Sequence, residues 1–275
     1  MTVLITAAEL AEERAGAHPP VVLDVRWSLA QPDGRAEFEA GHIPGAVYVD
    51  LETELSTPGE PTEGRHPLPT HERFQEVARA WGLNDGDRVV VMDGGTSFGA
   101  ARAWWLLRHA GVDVRILDGG LPAWEDLALP VAEGPSEPWE GGITLGWGHM
   151  PVIDADEAAE FPGMLLDARA GERYRGEVEP IDPVAGHIPG AVSAPTTGNS
   201  EPDGTFRTPE AIATRFAEIG YESGPVAVYC GSGVTAAHQI AAMEIAGLTG
   251  AALYPGSWSE WSNQGRDVVR GPDPR

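Results

Sequence analysis

Cys230 is the only cysteine in the chain. It opens the run Cys230-Gly231-Ser232-Gly233-Val234-Thr235-Ala236, directly after the apolar stretch Val226-Ala227-Val228-Tyr229. The apolar stretch reads as a buried strand, and the residues after Gly233 read as a helix. A cysteine at the carboxyl end of a strand and ahead of a helix occupies the place where open α/β sheets hold their ligands. The two glycines permit a tight loop whose backbone N–H groups converge on one point. Such a nest at a helix N-terminus binds anions and favours a thiolate, the nucleophilic form of cysteine. Ser232 and Thr235 carry hydroxyls that either cap the helix or donate to a bound molecule. The competing reading of Cys230 is a small buried hydrophobe at a strand end. Its Gly-Ser-Gly setting favours the nucleophile.

The elements that must position this loop occur twice. Gly41-His42-Ile43-Pro44-Gly45-Ala46-Val47 recurs letter for letter as Gly186-His187-Ile188-Pro189-Gly190-Ala191-Val192. Upstream of each copy an apolar run ends in an acid and an arginine, at Asp24 and Arg26 and at Asp167 and Arg169. Downstream, Val89 to Asp93 matches Val226 to Cys230, so the first half places Asp93 where the second places the cysteine. Short continuous apolar runs alternating with helical patterns imply α/β architecture, each half a parallel sheet flanked by helices. The expected division is a first domain over 1–134, a linker over 135–150 and a second domain over 151–275. The Gly-, Pro- and Trp-rich linker is expected to pack partly through Trp139 and Trp147, and the tail from Arg270 to fray. His42 and His187 are expected to hydrogen-bond their own Pro-Gly turns.

Composition narrows the partners. With 42 acidic against 18 basic residues, the formal charge of -24 argues against nucleic acid and against an anionic membrane surface. An anionic substrate must be held by local donors rather than by the overall field. No apolar stretch is long enough for a transmembrane helix, and the first residues lack the pattern of a signal peptide. A lone cysteine excludes a disulfide framework and a multi-cysteine metal site, and a free thiol suits a cytoplasmic, reducing setting.

With these residues in view, the chain resembles the tandem rhodanese-type sulfurtransferases over essentially its whole length. The carriers are both Gly-His-Ile-Pro-Gly-Ala copies, Leu117-Asp118-Gly119-Gly120-Leu121-Pro122-Ala123-Trp124, the Cys230 loop, and Gly256-Ser257-Trp258-Ser259-Glu260-Trp261. The resemblance implies two tandem rhodanese-like domains, the first catalytically silent. It also implies a Cys230 persulfide that carries sulfur from 3-mercaptopyruvate or thiosulfate to cyanide, a thiol or a thioredoxin-like protein. No metal or organic cofactor is implied. Cys-Gly-Ser-Gly-Val-Thr is similar to the mercaptopyruvate branch, whereas the thiosulfate branch usually carries Cys-Arg-Lys-Gly-Val-Thr. A neutral loop with one arginine suits a monocarboxylate, while a dianion benefits from cationic side chains.

The resemblance further implies a donor-binding set of Arg173 with Gly231, Ser232, Gly233, Val234 and Thr235, with Arg175 as a helper. Asp50 and His66 match the acid and histidine that the first domain brings to the site in the mercaptopyruvate branch. Their segment, Thr57 to Thr70, reads as an irregular loop able to cover a cleft. Arg26, Arg169 and Arg102 are expected to be structural. Two positions depart from the family. The animal mercaptopyruvate enzymes have a second substrate arginine in the stretch matching Glu177 to Ala185, which here contains none. Pro255 stands where Asp often precedes Gly-Ser-Trp. A thiosulfate-preferring enzyme is the first alternative, and a non-catalytic sulfur carrier is the alternative of another class. A cysteine phosphatase needs an arginine six positions after its cysteine, where this chain has Ala236.

Overall fold

The computed structural model describes residues 2–274. The chain packs as two compact units that do not follow a single cut in the sequence. The first comprises residues up to 57, 69–149 and 202–206; the second comprises 58–68, 150–201 and the residues from 207 onward.

In the first unit, β1 (Leu4–Ile5), β2 (Val21–Asp24), β3 (Val47–Tyr48), β4 (Arg88–Met92) and β5 (Asp113–Leu117) form a parallel sheet in the order β1-β5-β4-β2-β3. Its helices are α1 (Ala7–Arg14), α2 (Arg35–Ala40), α3 (Leu51–Glu54), α4 (His71–Ala80), α5 (Phe98–His109) and α6 (Gly120–Glu125). In the second unit, β6 (Met164–Asp167), β7 (Val192–Ser193), β8 (Val226–Tyr229) and β9 (Ala252–Leu253) form a parallel sheet in the order β7-β6-β8-β9. Its helices are α7 (Ala155–Ala159), α8 (Gly171–Tyr174), α9 (Pro209–Glu218), α10 (Val234–Ile245) and α11 (Ser257–Asn263). The expected α/β class with two helix-flanked parallel sheets is therefore what the chain forms.

The central strands are apolar without alternation because helices cover both faces. Val89 to Met92 and Val226 to Tyr229 are all buried. The helices that follow them, α5 and α10, are buried over most of their length, which their Ala-rich faces allow at close packing distance. Each helix ends before a glycine with positive φ, Gly111 and Gly247, where a left-handed residue stops the helix.

The duplicated turn has a shared physical logic. In both units the Asp-X-Arg arginine pairs with its acid and donates to the carbonyl that opens the turn. Arg26 lies 2.7 Å from Asp24 and 2.9 Å from the Gly41 carbonyl; Arg169 lies 2.6 Å from Asp167 and 2.7 Å from the Gly186 carbonyl. Each histidine stacks on an aromatic ring, His42 on Phe38 and His187 on Tyr174. Its Nδ1 meets the same residue's carbonyl, at 2.9 and 2.8 Å. These histidines bond the preceding helix rather than the Pro-Gly turn itself, so they tie the turn to the body of the unit. Arg102 is buried in the first unit and donates to the Leu55 carbonyl.

Two expectations about the connecting and terminal segments need correction. Trp139 is 93% exposed and contributes no packing, whereas Trp147 does pack, edge-on against His109 and beside Phe74. The described part of the tail is tied down rather than frayed. Val269 pairs with His187, Gly271 N–H donates to the Arg175 carbonyl, and Gly190 N–H donates to the Pro274 carbonyl. Arg275 lies outside the described residues.

Candidate active site in the second unit

The order β7-β6-β8-β9 reverses direction between β6 and β8, and open α/β sheets bind ligands outside the carboxyl ends of the strands at such a reversal. Cys230 follows β8, and Ala168 to Arg173 follow β6. Asp167 pairs with Tyr229 in the ladder, so the two segments leave the sheet side by side.

Cys230 is recessed, with 2% of its surface exposed. The Gly233 N–H donates to its Sγ at 3.1 Å. Gly233, at φ +79°, is the left-handed residue that turns the chain into α10 and aims that N–H back at the sulfur. No side chain caps α10, so the hydroxyls of Ser232 and Thr235 are not helix caps. The loop is pinned from the other side by the Gly256-Ser257-Trp258 segment. The Cys230 N–H donates to Ser257 Oγ at 3.1 Å, and the Trp258 and Ser259 N–H groups donate to the Cys230 and Gly231 carbonyls. Ser257 holds φ +55°, a strained conformation for a residue with a side chain. The Ser257 hydroxyl also donates to the Tyr254 carbonyl, which fixes its Oγ as acceptor for Cys230.

His66 meets Ser232. Its Nδ1 lies 2.7 Å from Ser232 Oγ, with both residues buried. The segment carrying His66 packs as part of the second unit, not as a loop of the first domain reaching over it. Its 3-10 turn, Pro61–Glu63, lies on α11, where Gln264 Nε2 donates to the Thr62 carbonyl. At φ +89°, Gly64 runs so close to Gly256 that a Cβ on it would stand 2.8 Å from the Gly256 carbonyl oxygen. Only glycine allows this approach.

Arg173, on the single turn of α8, faces the loop. A Cβ placed on Gly231 would stand 3.4 Å from Arg173 Nη1 and 3.4 Å from Arg65 Nη2. The glycine thus leaves the space beside the cysteine to two guanidinium groups. They are oriented by carboxylates from the stretch 177–185. Arg173 Nη2 reaches Glu179 at 2.6 Å and Asp182 at 3.2 Å, and Arg65 Nη1 reaches Asp182 at 2.9 Å. Glu179 also lies 3.4 Å from Arg169, giving the alternating chain Asp167–Arg169–Glu179–Arg173–Asp182–Arg65.

Arg175 is placed differently. Its guanidinium forms a bidentate pair with Glu177 at 2.7 and 2.8 Å on the exposed surface. Val234 is buried as the first residue of α10, and Thr235 follows on the same turn, half-buried. Asp50 belongs to the first unit, where its carboxylate caps α3 through the Glu52 and Thr53 N–H groups. Four residues of the arrangement were not singled out from the sequence: Arg65, Glu179, Asp182 and Ser257. The available signal was Arg65 beside His66 in a chain short of bases, and a stretch after Arg173 that carries acids where an arginine was sought.

The first unit shows what the same loop does without a thiol. Met92 pairs with Asp24 as Tyr229 pairs with Asp167, so Asp93 is the register equivalent of Cys230. The buried Asp93 carboxylate accepts from the N–H groups of Gly95 at 2.8 Å and Ser97 at 2.9 Å. Burial raises its pKa, against the lowering effect of these bonds. Among the described residues no His, Cys, Asp and Glu group could hold a metal ion, and no helix is long and apolar enough to cross a membrane.

A thiol that accepts a backbone N–H at a strand end, beside guanidinium groups, is the arrangement of a nucleophile that receives an anion's sulfur or carbon centre. The chain belongs to the rhodanese-like domain family, whose model matches residues 6–127 and again 148–264. It is 47% identical to Mycobacterium tuberculosis SseB over 98% of this chain and 97% of that protein, whose name assigns it provisionally as a thiosulfate sulfurtransferase. A Pseudomonas aeruginosa protein, 44% identical over 97% of both chains, is named, again provisionally, a 3-mercaptopyruvate sulfurtransferase. The crystal structure of SseA from Escherichia coli, a 3-mercaptopyruvate sulfotransferase by its description, superposes with a TM-score of 0.83. It is 34% identical and is matched over 94% of this chain and 99% of its own.

Proposed function

We propose that this protein is a sulfurtransferase that takes a sulfur atom from 3-mercaptopyruvate, or from thiosulfate, onto Cys230 and passes it from the resulting persulfide to a thiol or cyanide. The observation that carries the reading is Cys230 Sγ accepting the Gly233 N–H while Arg173 faces the neighbouring Gly231. The names of the relatives divide between the two donors, so the donor must be argued from chemistry.

With 3-mercaptopyruvate, the Cys230 thiolate attacks the donor's sulfur and the carbon–sulfur bond breaks. Its electron pair passes to carbon, leaving the enolate of pyruvate. The proton of the donor's S–H must end on that carbon, giving pyruvate and the Cys230 persulfide anion. The His66–Ser232 pair, 2.7 Å apart, supplies a hydroxyl and an imidazole for this transfer. With thiosulfate, attack on the outer sulfur breaks the sulfur–sulfur bond and sulfite leaves with the pair, with no proton moved. In the second half, cyanide attacks the outer sulfur and leaves as thiocyanate, restoring the Cys230 thiolate. A thiol or a thioredoxin-like protein takes the same place in the cell. Arg173 holds the donor's anionic end. The proton-handling pair favours 3-mercaptopyruvate as the donor. Two guanidiniums beside the loop favour thiosulfate as a second one.

Cys230→Ser should abolish thiocyanate formation from both donors, measured with the folded variant at saturating cyanide. Thiocyanate still formed by that variant sinks the persulfide reading. Comparison of kcat/KM for the two donors with the native protein then decides between them.

A further inference from the structure

We propose that Arg65 is a donor-specificity residue: together with Arg173 it forms a two-guanidinium clamp over Gly231 that admits a dianionic sulfur donor. The inference rests on the sulfurtransferase reading of this site and deepens it.

Three observations carry it. Gly231 has no side chain, and the volume that one would enter is approached equally by Arg65 Nη2 and Arg173 Nη1, each 3.4 Å from the position of a Cβ. Both groups therefore converge on the residue next to the nucleophile. The two arginines also share one carboxylate, Arg65 on Asp182 Oδ1 and Arg173 on Asp182 Oδ2. A single Asp bridging two guanidiniums holds them at a fixed spacing. Finally, Arg65 Nε is buried and has no hydrogen-bond partner among the described residues. A buried guanidinium N–H without an acceptor is costly, and a bound oxyanion supplies the acceptor it lacks. The stretch 177–185 offers no arginine, so Arg65 provides the second cation from a different part of the chain.

The chemistry separates the candidate donors. A sulfonate-type dianion presents several oxygens and two charges and gains from both guanidiniums. A single carboxylate is satisfied by the Nη1 group that Arg173 turns toward Gly231, its Nε and Nη2 being held by Glu179 and Asp182. The clamp therefore matters more for thiosulfate than for a monocarboxylate.

The test uses binding as well as turnover, so that it does not depend on the reaction. In the full chain carrying Cys230→Ser, calorimetric titration gives the Kd of thiosulfate and of pyruvate, with and without Arg65→Gln. Loss of Arg65 should weaken thiosulfate about tenfold, equivalent to about 1.4 kcal/mol, and pyruvate by no more than about threefold, about 0.65 kcal/mol by the same conversion. Arg65→Lys, which keeps the charge, should recover part of the thiosulfate affinity. In the otherwise native chain, Arg65→Gln should raise KM for thiosulfate and leave kcat nearly unchanged. Equal weakening of both anions, or no weakening of thiosulfate, overturns the clamp and leaves Arg65 as an anchor for Asp182. If the native chain transfers sulfur from neither donor while the binding pattern holds, the sulfurtransferase reading fails and the dianion clamp stands.

Discussion

Glu179 is the hub on which the site's arginines turn, and its replacement by glutamine probes the whole arrangement. It accepts Arg173 Nη2 at 2.6 Å and Nε at 3.2 Å, and lies 3.4 Å from Arg169. Glu179 is 4% exposed and Arg173 14%, so water screens this pair poorly. Breaking a buried ion pair by removing one partner costs about 3–5 kcal/mol, most of it the uncompensated charge left behind. Glutamine keeps one acceptor oxygen in place, which cuts the expected loss to about 2 kcal/mol, within the range for hydrogen bonds to charged groups. The loss should be shared between fold and site, because Glu179 also receives the Ile181 and Asp182 N–H groups that shape the stretch bearing Asp182. The assay is a double-mutant cycle of Glu179→Gln and Arg173→Met, read by urea denaturation. The expected coupling is about 1.5–3 kcal/mol, with a raised KM for both donors in each single variant. A coupling below about 0.5 kcal/mol would show that the two residues act independently and would refute the account of how Arg173 is aimed.

Two further outcomes follow from buried groups in the second unit. Ser232→Ala should lower kcat with 3-mercaptopyruvate by about 10²-fold, the scale of a lost proton-transfer group, and lower it far less with thiosulfate, which moves no proton. An equal loss with both donors would show that the hydroxyl positions the loop rather than carrying a proton. His238, buried in α10 with its Nδ1 2.7 Å from Thr196 Oγ1, has its pKa lowered to about 3, by burial first and then by Arg215. A histidine kept neutral in the fold takes up its proton in the unfolded chain first, so its contribution is full above the unfolded pKa of about 6.5 and is lost as pH falls below it. Between about pH 7 and about pH 5 the linkage amounts to about 2 kcal/mol. Asp24, whose pKa burial raises to about 6, has the opposite sign, so the readout is the difference between native and His238→Gln urea curves across that range. A difference that does not change with pH would refute the neutral assignment.

Much of what is local in this protein is legible in its sequence. The apolar runs, the Gly-His-Ile-Pro-Gly turns and the Cys230 loop are announced by their own residue types, although more distant groups also pin the turns and the loop. The family resemblance pointed to Arg173, which sits close behind Asp167 and Arg169. The partners that orient it could not be ranked in the same way. Arg65 meets Asp182 across 117 positions, and His66 meets Ser232 across 166. Nothing in the spacing of a sequence chooses among acids for one arginine when the chain carries 42 of them. The placing of residues 58–68 was illegible for the same reason. It includes a glycine-to-glycine approach, Gly64 on Gly256, whose two halves lie far apart in the chain.

The comparison of Asp93 with Cys230 explains why the repeats agree in scaffold and part at the loop. A strand-to-helix turn in this fold points its N–H groups inward at the strand end, and that point demands an electron-rich atom. In the first unit the chain supplies its own, a carboxylate on the N–H groups of Gly95 and Ser97. The demand is met within the chain. In the second unit a sulfur takes the Gly233 N–H instead. Sulfur is a weaker acceptor than carboxylate, so it leaves the turn less fully satisfied and ready for more charge. The proposed persulfide would extend that charge by one atom on a Cys230 backbone that Ser257, Trp258 and Ser259 hold in place. The duplicated scaffold thus builds one N–H cradle twice, filled by a carboxylate in one unit and by the Cys230 sulfur in the other.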